Sequence, residues 1–148
     1  MNEEETKKSI TKSINDWLLK YKKITEFADE IHTEELEDSN TNLALQRSGV
    51  EEMPNKYVGE KCWYRQYNYI LFLKNYSESD EQRLENLDWL DDFSDWINQQ
   101  NRDRNYPTIK NKKVIKIGCS DEITYQTDEK GTVSNYYIQL YFLIKGGI

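Results

Sequence analysis

The side chains that most often act as nucleophiles or bases are few in this sequence and lie far apart. His32 is the only histidine, and no serine, cysteine or second histidine lies close to it. Nucleophilic catalysis needs an attacking group and a base within hydrogen-bond reach of each other. Cys62 and Cys119 match no spacing of a zinc or redox motif, and we expect both to be buried thiols without a disulfide.

Acidic side chains are abundant, and the chemistry they could support is acid–base catalysis or metal binding. General acid catalysis requires a carboxyl group in apolar surroundings that raise its pKa, which a helix surface full of acids such as Asp91 and Asp92 does not provide. A dedicated divalent-cation site requires mixed oxygen ligands. The sequence also has no P-loop, GxGxxG or GxSxG motif. We therefore predict that the protein is not an enzyme and binds neither metal nor cofactor.

Length and charge limit the size and the partners of the protein. Its 148 residues are typical of one domain. The net charge of −7 disfavours binding to phosphate backbones or anionic membranes by charge alone. Only 36% of the residues are hydrophobic, but 11 Tyr, 4 Trp and 4 Phe can bury large areas in a core. No apolar run approaches the length of a membrane span and the start is unlike a signal peptide, so we expect a cytosolic product.

Two amphipathic helices are predicted from apolar residues that recur every three or four positions. The first covers residues 6–23 and presents one apolar stripe. The second begins at Ser79, which suits an N-cap, and Asp80 and Glu81 follow where the helix dipole favours negative charge. The apolar arc of this second helix contains Leu87, Trp89, Leu90, Phe93, Trp96 and Ile97.

The opposite arc of the second helix, called the acidic face below, is a row of carboxylates. Like charges three and four residues apart on a helix repel each other. The arc is interpreted either as a solvated surface or as a surface that repels an anion or binds something basic. Its members are Glu81, Glu85, Asp88, Asp91, Asp92 and Asp95.

The charge pattern changes sign along the chain. Residues 26–38 contain seven acids and no Lys or Arg, which is typical of a solvated connector and alternatively of a surface for a basic partner. Residues 102–116, called the basic segment, contain Asp103 as their only acid. The basic segment either pairs with the acidic face of a neighbouring subunit or is a charged loop that enters a strand. Its candidate contact residues are Arg102, Arg104, Lys110, Lys112 and Lys113, and Lys116 follows them.

Alternating apolar residues predict strands in the remaining sequence. The predicted strands start at residue 42, run over 57–76, start again at 114, and include a hairpin of 123–125 with 133–144 across a turn at 128–131. A further turn is predicted at 118–121. Both faces of the last strand are apolar, which predicts a central strand that is covered on each side.

These elements predict an α+β fold, with two main helices packed on a mostly antiparallel sheet of about four or five strands. The prediction is a single domain over residues 1–148. Residues 1–40 hold the N-terminal helix and the acidic connector, and residues 41–148 hold the sheet and the second helix.

Three segments, residues 56–76, 85–107 and 134–145, resemble a family of small morphogenesis proteins of tailed phages. These are the minor capsid or tail terminator proteins, also described as tail completion or head-tail joining proteins, of siphophages and prophages of low-GC Gram-positive bacteria. The resemblance covers about the last two thirds of the chain. Unlike the family pattern, this chain has Asn105 and Tyr106 before the proline and a longer, more charged N-terminal part. The resemblance is carried by Gly59, Arg65, Gln66, Tyr67, Asn86, Phe93, Trp96, Ile97, Gln100, Pro107, Tyr137, Ile138 and Gln139.

The resemblance implies an architectural role in the virion and no catalytic residues. A tail terminator forms a ring, expected to be a hexamer, that caps the tail tube and meets the head connector while DNA passes through its lumen. Such a protein assembles in the bacterial host cytoplasm, and its partners are copies of itself, the tail tube protein and the head connector proteins. DNA would be only a passing neighbour, and no membrane is involved. The acidic face is then a candidate lining of the lumen, because carboxylates repel phosphate.

A second class of protein fits the same composition. A small acidic immunity or inhibitor protein would use its carboxylates to neutralise a basic toxin, and its Trp and Tyr residues as binding hot spots. Size and charge do not separate this alternative from a tail protein, whereas the mass of the assembled protein does.

Overall fold

The computed structural model describes residues 3–22, 24, 31–33, 42–55, 59, 61–76, 79–120, 124–127 and 132–147. The predicted turn at 128–131 and most of the acidic connector at 26–38 lie outside these residues. Within them the chain forms two helices and six strands. In chain order they are α1 (Glu3–Leu18), β1 (Ile31–Thr33), β2 (Asn42–Met53), β3 (Trp63–Tyr76), α2 (Asp80–Asp103), β4 (Lys113–Cys119), β5 (Thr124–Thr127) and β6 (Val133–Gly146).

The six strands form one sheet in the order β1-β2-β3-β6-β4, and β5 also pairs with β6. All pairs are antiparallel except β1 with β2, which is parallel. This architecture confirms the predicted α+β class. The sheet has six strands rather than the predicted four or five, because two short strands, β1 and β5, lie at its two edges. Strand β1 was not predicted, since its three residues lie inside the acidic connector.

One predicted turn is wrong. Strands β4 and β5 lie on the same edge of β6, so the chain does not reverse direction between them. Gly118 and Cys119 continue β4, and the backbone N–H of Ser120 donates to the carbonyl of Gln139 at 2.8 Å. The two strands are therefore successive parts of one interrupted edge.

Alternation along β3 and β6 places one set of side chains in the core. Tyr67, Tyr69 and Leu71 of β3 are buried, as are Ile138 and Phe142 of β6. The intervening residues of β6, from 137 to 143, remain half-buried or exposed. The prediction that β6 is covered on each side is therefore wrong for the described residues, whose helices pack on a single face of the sheet.

An aromatic cluster joins the two helices above the core side of the sheet. The ring centroid of Trp17 in α1 lies 4.9 Å from that of Trp96 in α2 and 6.0 Å from that of Phe142 in β6. Tyr21 stacks on Trp96 at 4.7 Å. Phe93 stacks on Trp89 at 5.7 Å and is fully buried. Aromatic pairs at these separations add to the stabilisation from burial, which offsets the low hydrophobic content.

Both ends of α2 are fixed by specific hydrogen bonds. The Ser79 hydroxyl accepts from the Gln82 backbone N–H at 3.2 Å, which confirms the predicted N-cap. At the other end Arg104 adopts a left-handed conformation with φ 56°, and its N–H bonds back to helix carbonyls. The Asn101 side-chain oxygen accepts from the backbone N–H of Ile117 at 3.0 Å. This bond ties the C-terminal end of α2 to β4.

The N-terminal half of α2 is held to the sheet by a buried amide. The Asn86 side chain accepts from the Asn75 amide at 2.7 Å, and it donates to the Tyr76 carbonyl at 2.9 Å and to the Tyr136 hydroxyl at 3.3 Å. We expect Asn86→Ala to lower the free energy of unfolding by about 1–3 kcal/mol. The Asn75 amide, the Tyr76 carbonyl and the Tyr136 hydroxyl would each lose a hydrogen-bond partner.

Chemical denaturation measures the effect of Asn86→Ala. The control is Asn98→Ala, the same substitution at an exposed site of the same helix, which should change stability by less than about 0.5 kcal/mol. Equal stability of the two variants would contradict the bridging role of Asn86.

Candidate interaction surfaces

The acidic face lies on the side of α2 that points away from the sheet. The buried residues of this helix are Asn86, Leu90, Phe93 and Ile97, whereas all six carboxylates of the acidic face are exposed. The structure therefore places these predicted residues together on one outer surface. Their pattern on the helix follows from the amphipathic sequence, since the apolar arc is fixed by the core.

A leucine lies among the carboxylates of the acidic face. Leu84 is 61% exposed, and at 100° per residue it falls between Asp91 and Asp95 on the helical wheel. The sequence analysis did not identify Leu84 as a surface residue, although its position among the carboxylates on the helical wheel indicates that it is exposed. Single exposed apolar side chains are common on protein surfaces, so Leu84 does not by itself mark a contact site. It does give the acidic face one apolar side chain that a partner can bury.

The basic segment does not form one patch. Arg102 lies on the same arc of α2 as the acidic face, and it donates to the Gln99 side-chain oxygen at 2.7 Å. Arg104 caps the helix, Lys110 and Lys112 lie in the connection, and Lys113 is the first residue of β4. The connection is anchored by buried Pro107 and Ile109. The structure thus separates the five predicted contact residues among three elements.

The lysines of β4 belong to a larger surface on the side of the sheet opposite the two described helices, called the open face below. Lys113 is the register partner of Lys145, and Lys116 is the partner of Leu143. Directly opposed residues of an antiparallel pair point to the same side. The open face includes Tyr64, Gln66, Asn68, Ile70, Phe72 and Lys74 of β3, Tyr137, Gln139, Tyr141, Leu143 and Lys145 of β6, Lys113, Lys116 and Gly118 of β4, and Gln46, Glu51 and Met53 of β2. Of these, Tyr64 and Gly118 are buried, and Glu51 is an exposed acid.

Cations and aromatic rings are in contact at one end of the open face. The Lys116 ammonium lies 6.0 Å from the centre of the Tyr141 ring, and that of Lys145 lies 5.6 Å from the Tyr64 ring. Further along the strands Phe72 packs edge-on against Tyr137, with centroids 5.0 Å apart. Sequence reasoning missed this surface because it assumed that the apolar residues of both faces were covered. Amides at alternate positions, such as Gln66, were the signal that one face remains accessible.

A glycine lets an aromatic ring lie flat against the open face. A Cβ atom added to Gly118 would lie 2.5 Å from ring atoms of Tyr141. We expect Gly118→Ala to cost about 1 kcal/mol of stability, at the low end for overpacking, because the half-buried ring can swing aside.

A double-mutant cycle tests the contact between Gly118 and Tyr141. Combining Gly118→Ala with Tyr141→Ala should cost less than the sum of the two single changes, since the clash disappears with the ring. Strict additivity in thermal or chemical unfolding would show that the two residues do not interact.

Arg65, which carries part of the family resemblance, lies on the core side of β3 rather than on the open face. Its guanidinium lies 4.2 Å from the centre of the Trp63 ring and forms an ion pair with Glu52 of β2. Burial lowers the pKa of Arg65, but hydrogen bonds to Glu52 and Tyr67 and their charges raise it, with a net shift upward. Arg65 therefore stays charged and links two strands, a structural role.

Among the described residues, no three His, Cys, Asp or Glu side chains are placed so that they could hold a metal ion together. Cys62 and Cys119 are free thiols and are half-buried, which corrects the expectation that both are buried. Cys119 shares a hydrogen bond with Ser94 at 3.0 Å. His32 lies in β1, and its side chain is outside the described residues.

Neither helix in the described ranges is long and apolar enough to cross a membrane. A scan of protein-family models gives no match for this chain, and a search of curated proteins gives none either. The surfaces themselves therefore carry the functional argument.

Proposed function

We propose that the protein is a structural component of a phage virion that caps or completes the tail tube and joins it to the head connector. It acts as an oligomeric ring, expected to be a hexamer, with the tail tube protein and head connector proteins as its partners. It needs neither catalytic residue nor cofactor. DNA passes near it without being bound.

The observation that carries this proposal is the opposite charge of the two outer surfaces of the domain. The helix side presents the acidic face, and the sheet side presents lysines among aromatic and apolar residues. Two different complementary surfaces on one domain support head-to-tail contacts, which close into rings when the rotation between copies allows it. The resemblance to tail terminator proteins in three segments gives independent support.

Two roles are open to the acidic face within such a ring. It could line the lumen, where carboxylates would keep DNA from adhering. It could also contact the next subunit. The exposed Leu84 favours the subunit contact, because an aliphatic side chain gains nothing from facing water or phosphate.

The alternative function is that of a small acidic immunity or inhibitor protein for a basic toxin. The same combination of carboxylates around Leu84 favours it, since a buried apolar anchor with a charged rim is common at protein interfaces. The alternative requires a monomer that binds one basic protein. A ring at the end of a tail would exclude it.

Electron microscopy of particles made without this gene tests the proposal. We expect tails of abnormal length, or full heads and tails that remain unjoined. Supplying the gene in trans should restore joined particles, and the control is a frameshifted copy of the gene. Normal virions without the protein would overturn the proposal.

A further inference from the structure

We propose that the open face of one copy is the docking site for the acidic face of a second copy. The inference rests on the proposed ring and names the two surfaces that would form it. It commits to one occupant, the outer side of α2 with its carboxylates and Leu84.

Charge is the first argument for this occupant. The lysine end of the open face combines Lys113, Lys116 and Lys145, and two of these are direct register partners across β4 and β6. The carboxylates of the acidic face recur every three or four residues along α2, and all six are exposed. Contact between the two surfaces brings carboxylates of one copy to lysines of the next, which is electrostatically complementary.

Apolar surface is the second argument. The open face has half-buried Ile70, Phe72 and Leu143 beside its tyrosines, and the acidic face has one large exposed apolar residue, Leu84. A leucine gains free energy when it leaves water for such a surface. Neither DNA nor solvent offers Leu84 this environment, whereas the open face does.

The dimensions of the two surfaces agree for one pair of charged residues. Asp91 and Asp95 lie about 10 and 17 Å beyond Leu84 along the helix axis, at 1.5 Å per residue. The row of Lys116 lies about 13 Å from the row of Ile70 along β6, and β4 is two strands, about 10 Å, to the side of β3. Ile70 and Lys116 are therefore about 16 Å apart. A helix that crosses the strands with Leu84 over Ile70 brings Asp95 to Lys116.

The two surfaces are on opposite sides of the domain, which decides the kind of assembly. The helices pack on the core side of the sheet, and the open face is on its other side. A contact between two different surfaces is heterologous, and it repeats from copy to copy until a ring closes. In this arrangement the acidic face is covered by the next subunit and does not line the lumen.

Two charge-reversed variants test the contact. The sheet variant carries Lys113→Glu and Lys116→Glu, and the helix variant carries Asp91→Lys and Asp95→Lys. Each variant alone places like charges at the contact, so we expect self-association to weaken at least about a hundredfold. In an equal mixture, the negative surfaces of the sheet variant meet the positive surfaces of the helix variant. Contacts between unlike copies are therefore attractive. Native mass spectrometry should therefore find monomers of each variant and rings with an even number of copies in the mixture.

The mixture separates a lost contact from a misfolded variant, because an unfolded chain is not rescued by mixing. Circular dichroism of each variant checks the fold independently. A monomeric wild type, variants that keep the wild-type mass, or a mixture that stays monomeric would each overturn the inference. Unchanged rings in both variants would show that neither charged surface is needed for the contact between copies.

The same variants distinguish the contact from the proposed function. If either variant alone completes tails with normal rings, the function stands and the contact is wrong. If the wild type forms rings through this contact but particles lacking the gene are normal, the contact stands and the function is wrong.

Discussion

Phe93→Ala is expected to lower the free energy of unfolding by about 3–5 kcal/mol, which is the usual cost of removing a fully buried aromatic ring. Phe93 is fully buried on the core side of α2, with its ring stacked on Trp89 and 5.9 Å from Tyr21, which follows α1. Its loss leaves a cavity between α2 and the segment that follows α1. Domains of this size have total stabilities of about 5–15 kcal/mol, so the change is a large fraction of the total.

Thermal unfolding measures the effect of Phe93→Ala, and the midpoint should fall by about 6–20 °C. The matched control is Leu84→Ala, a truncation on the same helix at a site that is 61% exposed. The control should change the stability of the monomer by less than about 0.5 kcal/mol. Similar midpoints for the two variants would contradict the assignment of the buried and outer sides of α2.

Leu84→Asp is expected to weaken self-association and to leave the stability of the domain close to that of the wild type. Burying a leucine contributes about 1.5–3 kcal/mol, and about 1.4 kcal/mol corresponds to a tenfold change in affinity. Replacing Leu84 by a carboxylate should therefore weaken the contact between copies at least about tenfold. Sedimentation over a range of protein concentrations measures this shift.

The control for Leu84→Asp is Lys20→Ala, which changes the net charge by the same amount at an exposed site just after α1. It should leave association close to that of the wild type. A wild-type association constant for Leu84→Asp would mean that this leucine lies outside the contact between copies.

The helices and most strands could be predicted from the sequence because their causes are local. Apolar residues at helical spacing determine which side of α2 is buried, and Ser79 marks its start by an N-cap bond that needs only neighbouring residues. Alternation in β3 similarly separates Tyr67 from Gln66 on opposite sides of the sheet. The acidic face was visible in the sequence for the same reason.

The pairing of the strands and the open face could not be predicted because they depend on contacts between distant segments. Whether Tyr137 and Leu143 are covered depends on which elements pack on that side of the sheet, and periodicity contains no such information. Lys113 and Lys145 are neighbours only through the register of β4 with β6. The sequence therefore left two interpretations of the basic segment, a contact with the acidic face of a neighbouring subunit or a charged loop that enters a strand. In the fold, Lys113 and Lys116 of this segment lie in β4 and are part of the open face.

The most direct test of the tail-completion account is to add the purified protein to tails isolated from particles that lack its gene and to image the tail ends by electron microscopy. The account predicts a closed ring of this protein at the head-proximal end of each tube and recovery of head joining. A protein that remains monomeric and leaves the tail ends bare would contradict the account.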